Sequence, residues 1–231
     1  MIKGAIFDLD NTLVDSVETI WKCSDHILRE NGFRGVNRET AERAMGLTIF
    51  DLFDLAEPGL SAEQKRKLFN DYRGAYMEYF CYSKLLPGAH ETLGYVKSIG
   101  LKLALVTTKS RMNAGKILKA FELFDFFDAI LGYEDSVEHK PSTEPMLKAS
   151  FVLNLKPEEV VVIGDTEMDV RAGKEAGSIT VAITTGVKTA EQLQTVRPNY
   201  IISTLFELPK ILRVLVSGDK KIEKEVDRFI P

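Results

Sequence analysis

The chain has 231 residues, 45% of them apolar and 28% charged, and a formal net charge of −4. That length allows one α/β core of ordinary domain size plus a modest insertion, with enough apolar residues to fold without staples. The acidic balance carries no long basic run, which argues against nucleic acid as a partner, and no stretch reaches the roughly 18 apolar residues of a membrane helix. Cys23 and Cys81 are too far apart to suggest a disulfide framework or a C-x-x-C pair. The expectation is a soluble, cytoplasmic protein, monomeric or homodimeric, in which any small anion must be captured by local groups.

The first element is the apolar run at residues 2–7, which stops abruptly at Asp8, as a strand buried on both faces of a parallel sheet would. Residues 15–84 then change character, with apolar residues at helical spacing and no clear strand. Val17, Ile20, Trp21, Ser24, Ile27 and Leu28 outline one helix that Asn31-Gly32 stops. A second helix is expected from Asn37 to near Gly46. Ser61 and Gln64 form a capping box that opens a long helix, whose Leu68, Phe69, Tyr72, Tyr76, Tyr79 and Phe80 make an apolar face expected to be core.

Pro87-Gly88 marks the return from this helical insertion. Further short apolar runs follow at 101–106, 160–163 and 179–183, each ending in Thr, Gly or Asp and each followed by a helical pattern. Strands alternating with helices argue for a doubly wound, Rossmann-like parallel sheet. In such sheets ligands bind beyond the carboxyl ends of the strands, where Asp8, Thr107 and Asp165 fall. The tail after Ser217 places Ile222, Val226 and Phe229 at helical spacing and is expected to dock on the body.

The densest chemistry is Asp8-Leu9-Asp10-Asn11-Thr12. An Asp-x-Asp start can open a calcium loop, but such a loop needs glycine at its sixth position and glutamate at its twelfth, where this chain has Leu13 and Thr19. Gly164-Asp165-Thr166-Glu167-Met168-Asp169 closes another apolar run with carboxylates. Together the two segments offer the hard oxygen ligands that magnesium prefers, with room for water and a phosphate oxygen. Carboxylates repel phosphate, so such a site also needs positive charge and hydrogen-bond donors. Thr107 and Thr108 at the end of one strand, and Lys140 before Pro141, supply them. His26, His90 and His139 have no metal-ligand spacing and read as surface or helix residues.

In order and spacing, DLDNT, the run ending in Thr107, Lys140-Pro141 and GDTEMD resemble the four motifs of the haloacid dehalogenase superfamily. The resemblance covers most of the chain. It includes the helical insertion after the first motif, similar to the first cap class, and Leu86-Pro87-Gly88-Ala89 at the insertion's exit. Phosphoglycolate phosphatases and their relatives, including pyrophosphatases and β-phosphoglucomutase, are the most similar branch. The implied organisation is a core domain at 1–14 and 85–231 with an inserted α-helical cap domain at 15–84.

The resemblance implies Asp8 as the nucleophile that forms an aspartyl phosphate and as a magnesium ligand. Asp10 would act as general acid and base, its backbone carbonyl also binding the metal. Thr107 would hold the phosphoryl oxygens, and Lys140 would neutralise charge on the nucleophile and the transferring group. Asp165 would complete the Mg2+ site, with Asp169 a direct ligand or a support behind it. Asn11 and Thr108 would join the substrate-binding set.

In the cap, Arg43, Gly46, Leu47 and Thr48 fall in the substrate-specificity stretch, although Gly46 could equally close the preceding helix. Thr108, where Asn is frequent, and the Pro-Ser-Thr-Glu-Pro loop after Lys140 depart from the phosphoglycolate phosphatase pattern. Hydrolytic dehalogenases of the superfamily lack the second aspartate of the first motif and use no metal, so Asp10 favours phosphate chemistry. The implied activity is hydrolysis of a small phosphorylated metabolite. A phosphomutase of the β-phosphoglucomutase kind and a non-catalytic binding module on the same fold are the alternatives.

Overall fold

The computed structural model of the protein describes residues 1–218 and 223–230. Its strands are β1 (Gly4–Phe7), β2 (Val14–Asp15), β3 (Lys84–Leu85), β4 (Lys102–Val106), β5 (Ala129–Leu131), β6 (Val160–Gly164), β7 (Ile179–Ile183) and β8 (Tyr200–Ile202). Six of them form one parallel sheet in the order β5-β4-β1-β6-β7-β8. The chain leaves β1 in both directions across the sheet, so β1 lies at the switch point where ligands collect.

Side chains alternate across the sheet as the period of two requires. Ala5 and Phe7 of β1, Leu103 and Leu105 of β4, and Val161 and Ile163 of β6 face one core. Ile6, Ala104, Val106, Val160 and Val162 face the other. With both faces covered, these strands read as continuous apolar runs, which is why they are visible in the sequence. The first core is closed by α5 (Ala89–Ser98), α6 (Arg111–Ala120) and α10 (Leu208–Ser217), the second by α7 (Glu144–Val152) and α8 (Glu167–Glu175). The doubly wound α/β expectation therefore holds. A short helix, α9 (Ala190–Gln194), precedes β8.

Between β2 and β3, which pair antiparallel through Val14↔Leu85 and Asp15↔Lys84, lie α1 (Val17–Glu30), α2 (Arg38–Arg43), α3 (Ile49–Ala56) and α4 (Ala62–Ala75). Helix α1 stops at Asn31 and Gly32, whose φ of +81° a side chain would resist. The Ser61–Gln64 capping box opens α4 as expected. That helix ends sooner than its aromatic pattern suggested, because Gly74 weakens its last turn and residues 76–78 and 80–82 tighten into 3-10 turns. Helix α2 is also shorter than expected: Asn37 caps it, but it closes at Ala44, ahead of Gly46. In the tail, Val226 and Phe229 are buried against the body, while Ile222 lies outside the described residues.

Candidate active site

Parallel register brings three strand ends together. Phe7 pairs with Leu105 on one side and Ile163 on the other, so Asp8, Thr107 and Asp165 emerge side by side at the carboxyl edge. The Asp8 amide donates to Ile163 O at 2.9 Å and the Thr107 amide to Leu131 O at 3.0 Å, extending the ladders just past the strands. Lys140 reaches the same edge from the loop between β5 and α7, where its bond to Pro141 is cis.

Lys140 Nζ lies 2.6 Å from Asp8 Oδ1 and 2.6 Å from Asp169 Oδ1, so one ammonium bridges two buried carboxylates. Burial alone would push this lysine down, but Asp169 and Asp8 more than offset it and hold it above the ordinary lysine value. For Asp8, burial raises the carboxyl, Lys140 pulls it back, and Asp169 and Asp10 add repulsion. Asp169 closes the α8 capping box, accepting from the Thr166 amide and hydroxyl through Oδ2. Both of its oxygens are therefore occupied by the protein.

Asp165 differs. Its Oδ1 accepts from Thr12 Oγ1 at 3.2 Å, but its Oδ2 is buried without any partner. Burial raises its carboxyl well above the ordinary range, with Asp8 and Asp169 adding to the shift. Among the described residues, ligand atoms of Asp8, Asp165 and Asp169 come within 4.8 Å of one another. A Cβ on Gly186 would fall 2.0 Å from Asp165 Oδ2, so only glycine leaves the space beside that oxygen open. An orphaned buried carboxylate oxygen in an acidic cluster fits a hard divalent cation such as magnesium.

Asp10 turns toward the helical insertion. Its Oδ1 accepts from Ser16 Oγ at 2.6 Å and lies 3.3 Å from Lys109 Nζ. Lys109 is buried and sits 4.0 Å from the centre of the Tyr76 ring. Above Asp8 and Asp10 opens a cavity of about 660 Å³, its mouth included, bounded by α3 and α4 on one side and by residues 108–113 on the other. Thr108 Oγ1 donates to Leu47 O at 3.1 Å and Asn113 Nδ2 to Arg73 O at 3.1 Å, tying the two sides together.

Gly46 and Thr48 line this cavity. Gly46 is there for a further reason: at its φ of +86°, a Cβ would meet the Thr166 side chain at 2.8 Å, so the backbone of the insertion approaches α8 closely. Thr48 caps α3 through Asp51. Arg43 is exposed on α2 and is not among the residues lining this cavity. Asn11, at φ +59°, is spent on its own turn, its side chain accepting from the Ser16 amide and its carbonyl from Thr185. Phe69 and Tyr72, expected as core, also line the cavity.

Sequence reasoning missed Lys109 and Arg73. Lys109 could have been found from its position two residues past Thr107 at a strand end. Arg73 carried no such signal, because it lies in a helix whose placement beside the cavity only the tertiary structure gives. Cys23 is buried and Cys81 exposed, and both are free thiols.

Comparison with known proteins gives this geometry its context. Residues 5–183 match the haloacid dehalogenase-like hydrolase family. The chain is 32% identical over 215 residues to a pyrophosphatase, PpaX, from Bacillus mycoides, covering 91% of this chain and 97% of that one. It is 30% identical to a phosphoglycolate phosphatase from Neisseria meningitidis over 216 residues, covering 90% and 92%. A solved structure from Bacteroides fragilis, described as a haloacid dehalogenase-like hydrolase, superposes with a TM-score of 0.84 at 31% identity, covering 90% of this chain and all of that one. The chain belongs to the haloacid dehalogenase-like hydrolases, and it is an enzyme of the phosphatase kind within them.

Proposed function

We propose that the protein is a magnesium-dependent phosphatase for a small phosphorylated metabolite, acting through an aspartyl phosphate on Asp8. The observation that carries this reading is the buried cluster of Asp8, Asp165, Asp169 and Lys140 beneath a cavity that also exposes Asp10. Asp8 attacks phosphorus, the bond to the leaving oxygen breaks, and Asp10 delivers a proton to that oxygen. Water then attacks the aspartyl phosphate and surrenders its proton to Asp10, restoring Asp8. Thr107 steadies the phosphoryl oxygens, Thr108 stands beside it at the strand end, and Lys140 pulls the Asp8 carboxyl back toward the ionised form against burial.

Magnesium would be held by the Asp8 and Asp165 carboxylates and the Asp10 backbone carbonyl. Asp169, engaged by Lys140 and Thr166, stands behind them. The bound ion would supply charge stabilisation to the transferring phosphoryl group. Residues 15–84 act as a cap over the core formed by 1–14 and 85–231, and its closure keeps bulk water from the intermediate. The relatives' names point to phosphoglycolate or pyrophosphate as first substrates to try. A cytoplasmic monomer or homodimer accords with this reading.

The test is phosphate release from phosphoglycolate, pyrophosphate, sugar phosphates, nucleotides and an aryl phosphate, with magnesium and with a chelator. Release that needs magnesium, and that Asp8→Asn abolishes, is the expected result. Equal rates under chelation would remove the metal from the mechanism. Isomerised sugar phosphate without release would make the enzyme a mutase.

A further inference from the structure

The cations around the cavity are not equivalent. Lys140 is committed to Asp8 and Asp169, and Lys109 to Asp10. Arg73, half-buried in the last turn of α4, forms no ion pair among the described residues. Its guanidinium carbon lies 5.6 Å from the Phe69 ring centre, and its one side-chain hydrogen bond is a long 3.5 Å contact to Asn70 Oδ1. Phe69 is itself a wall of the cavity. An arginine held against an aromatic face beside a cavity keeps most of its planar fork of donors free. Such a fork matches the paired oxygens of a carboxylate or phosphate.

Position decides what that anion is. The phosphoryl group undergoing transfer belongs at Asp8, on the sheet edge, whereas Arg73 comes from the insertion on the cavity's other side. Between them the walls are largely apolar, with Ile20, Leu47, Ile49 and Leu52. With Lys140 and Lys109 held by carboxylates, Arg73 is a cation lining the cavity without a carboxylate partner among the described residues, on the side where the leaving half of a substrate would lie. We infer that Arg73 is a specificity residue that recognises a second anionic group, carboxylate or phosphate, on the leaving side of a small phosphorylated substrate. This inference rests on the phosphatase reading above and adds the class of leaving group to it.

The experiment compares kcat/KM for two substrates with anionic leaving groups, 2-phosphoglycolate and pyrophosphate, with that for two with neutral ones, glycerol 3-phosphate and an aryl phosphate. All are measured with magnesium for the wild type, Arg73→Gln and Arg73→Lys. The wild type is expected to prefer at least one anionic leaving group, and which one identifies the anion as carboxylate or phosphate. Arg73→Gln is expected to collapse that preference by tenfold or more, mainly through KM. Arg73→Lys retains the charge without the fork and is expected to fall between the two.

A preference ratio that stays constant in Arg73→Gln, whether all rates fall together or none does, overturns the inference. So does a wild type that favours the neutral leaving groups. If Arg73→Gln does not fold, Arg73→Lys decides alone, because an unchanged ratio there denies the fork its role. No release from any substrate by the wild type would instead sink the phosphatase reading itself.

Discussion

Asp165 Oδ2 is buried without a partner, and burial together with repulsion from Asp8 and Asp169 pushes its carboxyl up, so without a cation the protein holds a destabilised group at the proposed magnesium site. Asp165→Asn removes one negative charge from the cluster. In chelator this variant is expected to melt a few degrees above the wild type, at about 2–4 °C per ~1 kcal/mol for a chain of this size. Adding magnesium should raise the wild-type Tm by mass action and leave the variant unmoved. A chelated variant that melts lower would mean that Asp165 stabilises the fold on its own. Lys140 is the opposite case: Lys140→Met leaves Asp8 and Asp169 without their shared cation, and loss of one partner of a buried pair costs about 3–5 kcal/mol. Urea unfolding at neutral pH measures that loss. Both sites were visible in the sequence because each side chain directly follows a buried strand or sits in a short motif. Arg73 was not, since a helix residue facing solvent and one facing a cavity look alike until the neighbouring helix is placed.

The loop that carries Lys140 is fastened at its far end by Glu144, the first residue of α7. Its carboxylate accepts from the backbone N–H groups of Val137 and Glu138 and from Lys148. These bonds, Lys148's foremost, lower its pKa from 4.5 to about 2. A carboxyl depressed in the folded state contributes stability that is fully present above its unfolded value and is lost as pH falls through the folded one. The stability gap between wild type and Glu144→Gln is therefore expected to be present at pH 6 and to shrink between about pH 4.5 and about pH 2. At neutral pH the variant should also exchange the Val137 and Glu138 amides faster; unchanged exchange would mean that the loop is held by something else. Among the elements, β1, β4, β6 and β7 were legible because burial on both faces makes them nearly all apolar. The edge strands β5 and β8 are three residues each and are too brief for a periodic signal. Helix α3, IFDLFDLA, escaped because its capping Thr48 was read as part of a substrate loop.

The chain crosses between the helical insertion and the core at β2 and β3, and contacts beside the cavity also hold the two together. Besides the Thr108–Leu47 and Asn113–Arg73 hydrogen bonds, an aromatic clasp spans the gap. Tyr133, in the turn after β5, lies 5.5 Å from both Phe50 of α3 and Phe69 of α4, and stacks at 4.1 Å on His139, the neighbour of Lys140. His139 is thus part of this clasp and not a simple surface residue, and burial pulls its imidazole pKa down. Aromatic pairs add about 0.5–1.5 kcal/mol each beyond their area. Tyr133→Ala breaks two pairs across the gap and is therefore expected to move the proposed closing equilibrium by about 1–3 kcal/mol, or roughly 5- to 150-fold. Only the part of that shift that takes the closed state below dominance is visible, so the expected rise in KM is about tenfold. The six-stranded core is untouched by the change, and the melting temperature should move by no more than a few degrees. Phe50→Leu provides the control, because Phe50 meets Tyr133 from the helical side and makes no ring contact with His139. A KM that rises in both variants assigns the effect to closure. A rise confined to Tyr133→Ala would assign it to the loop that carries Lys140, and no rise in either would remove the clasp from the working of the cap.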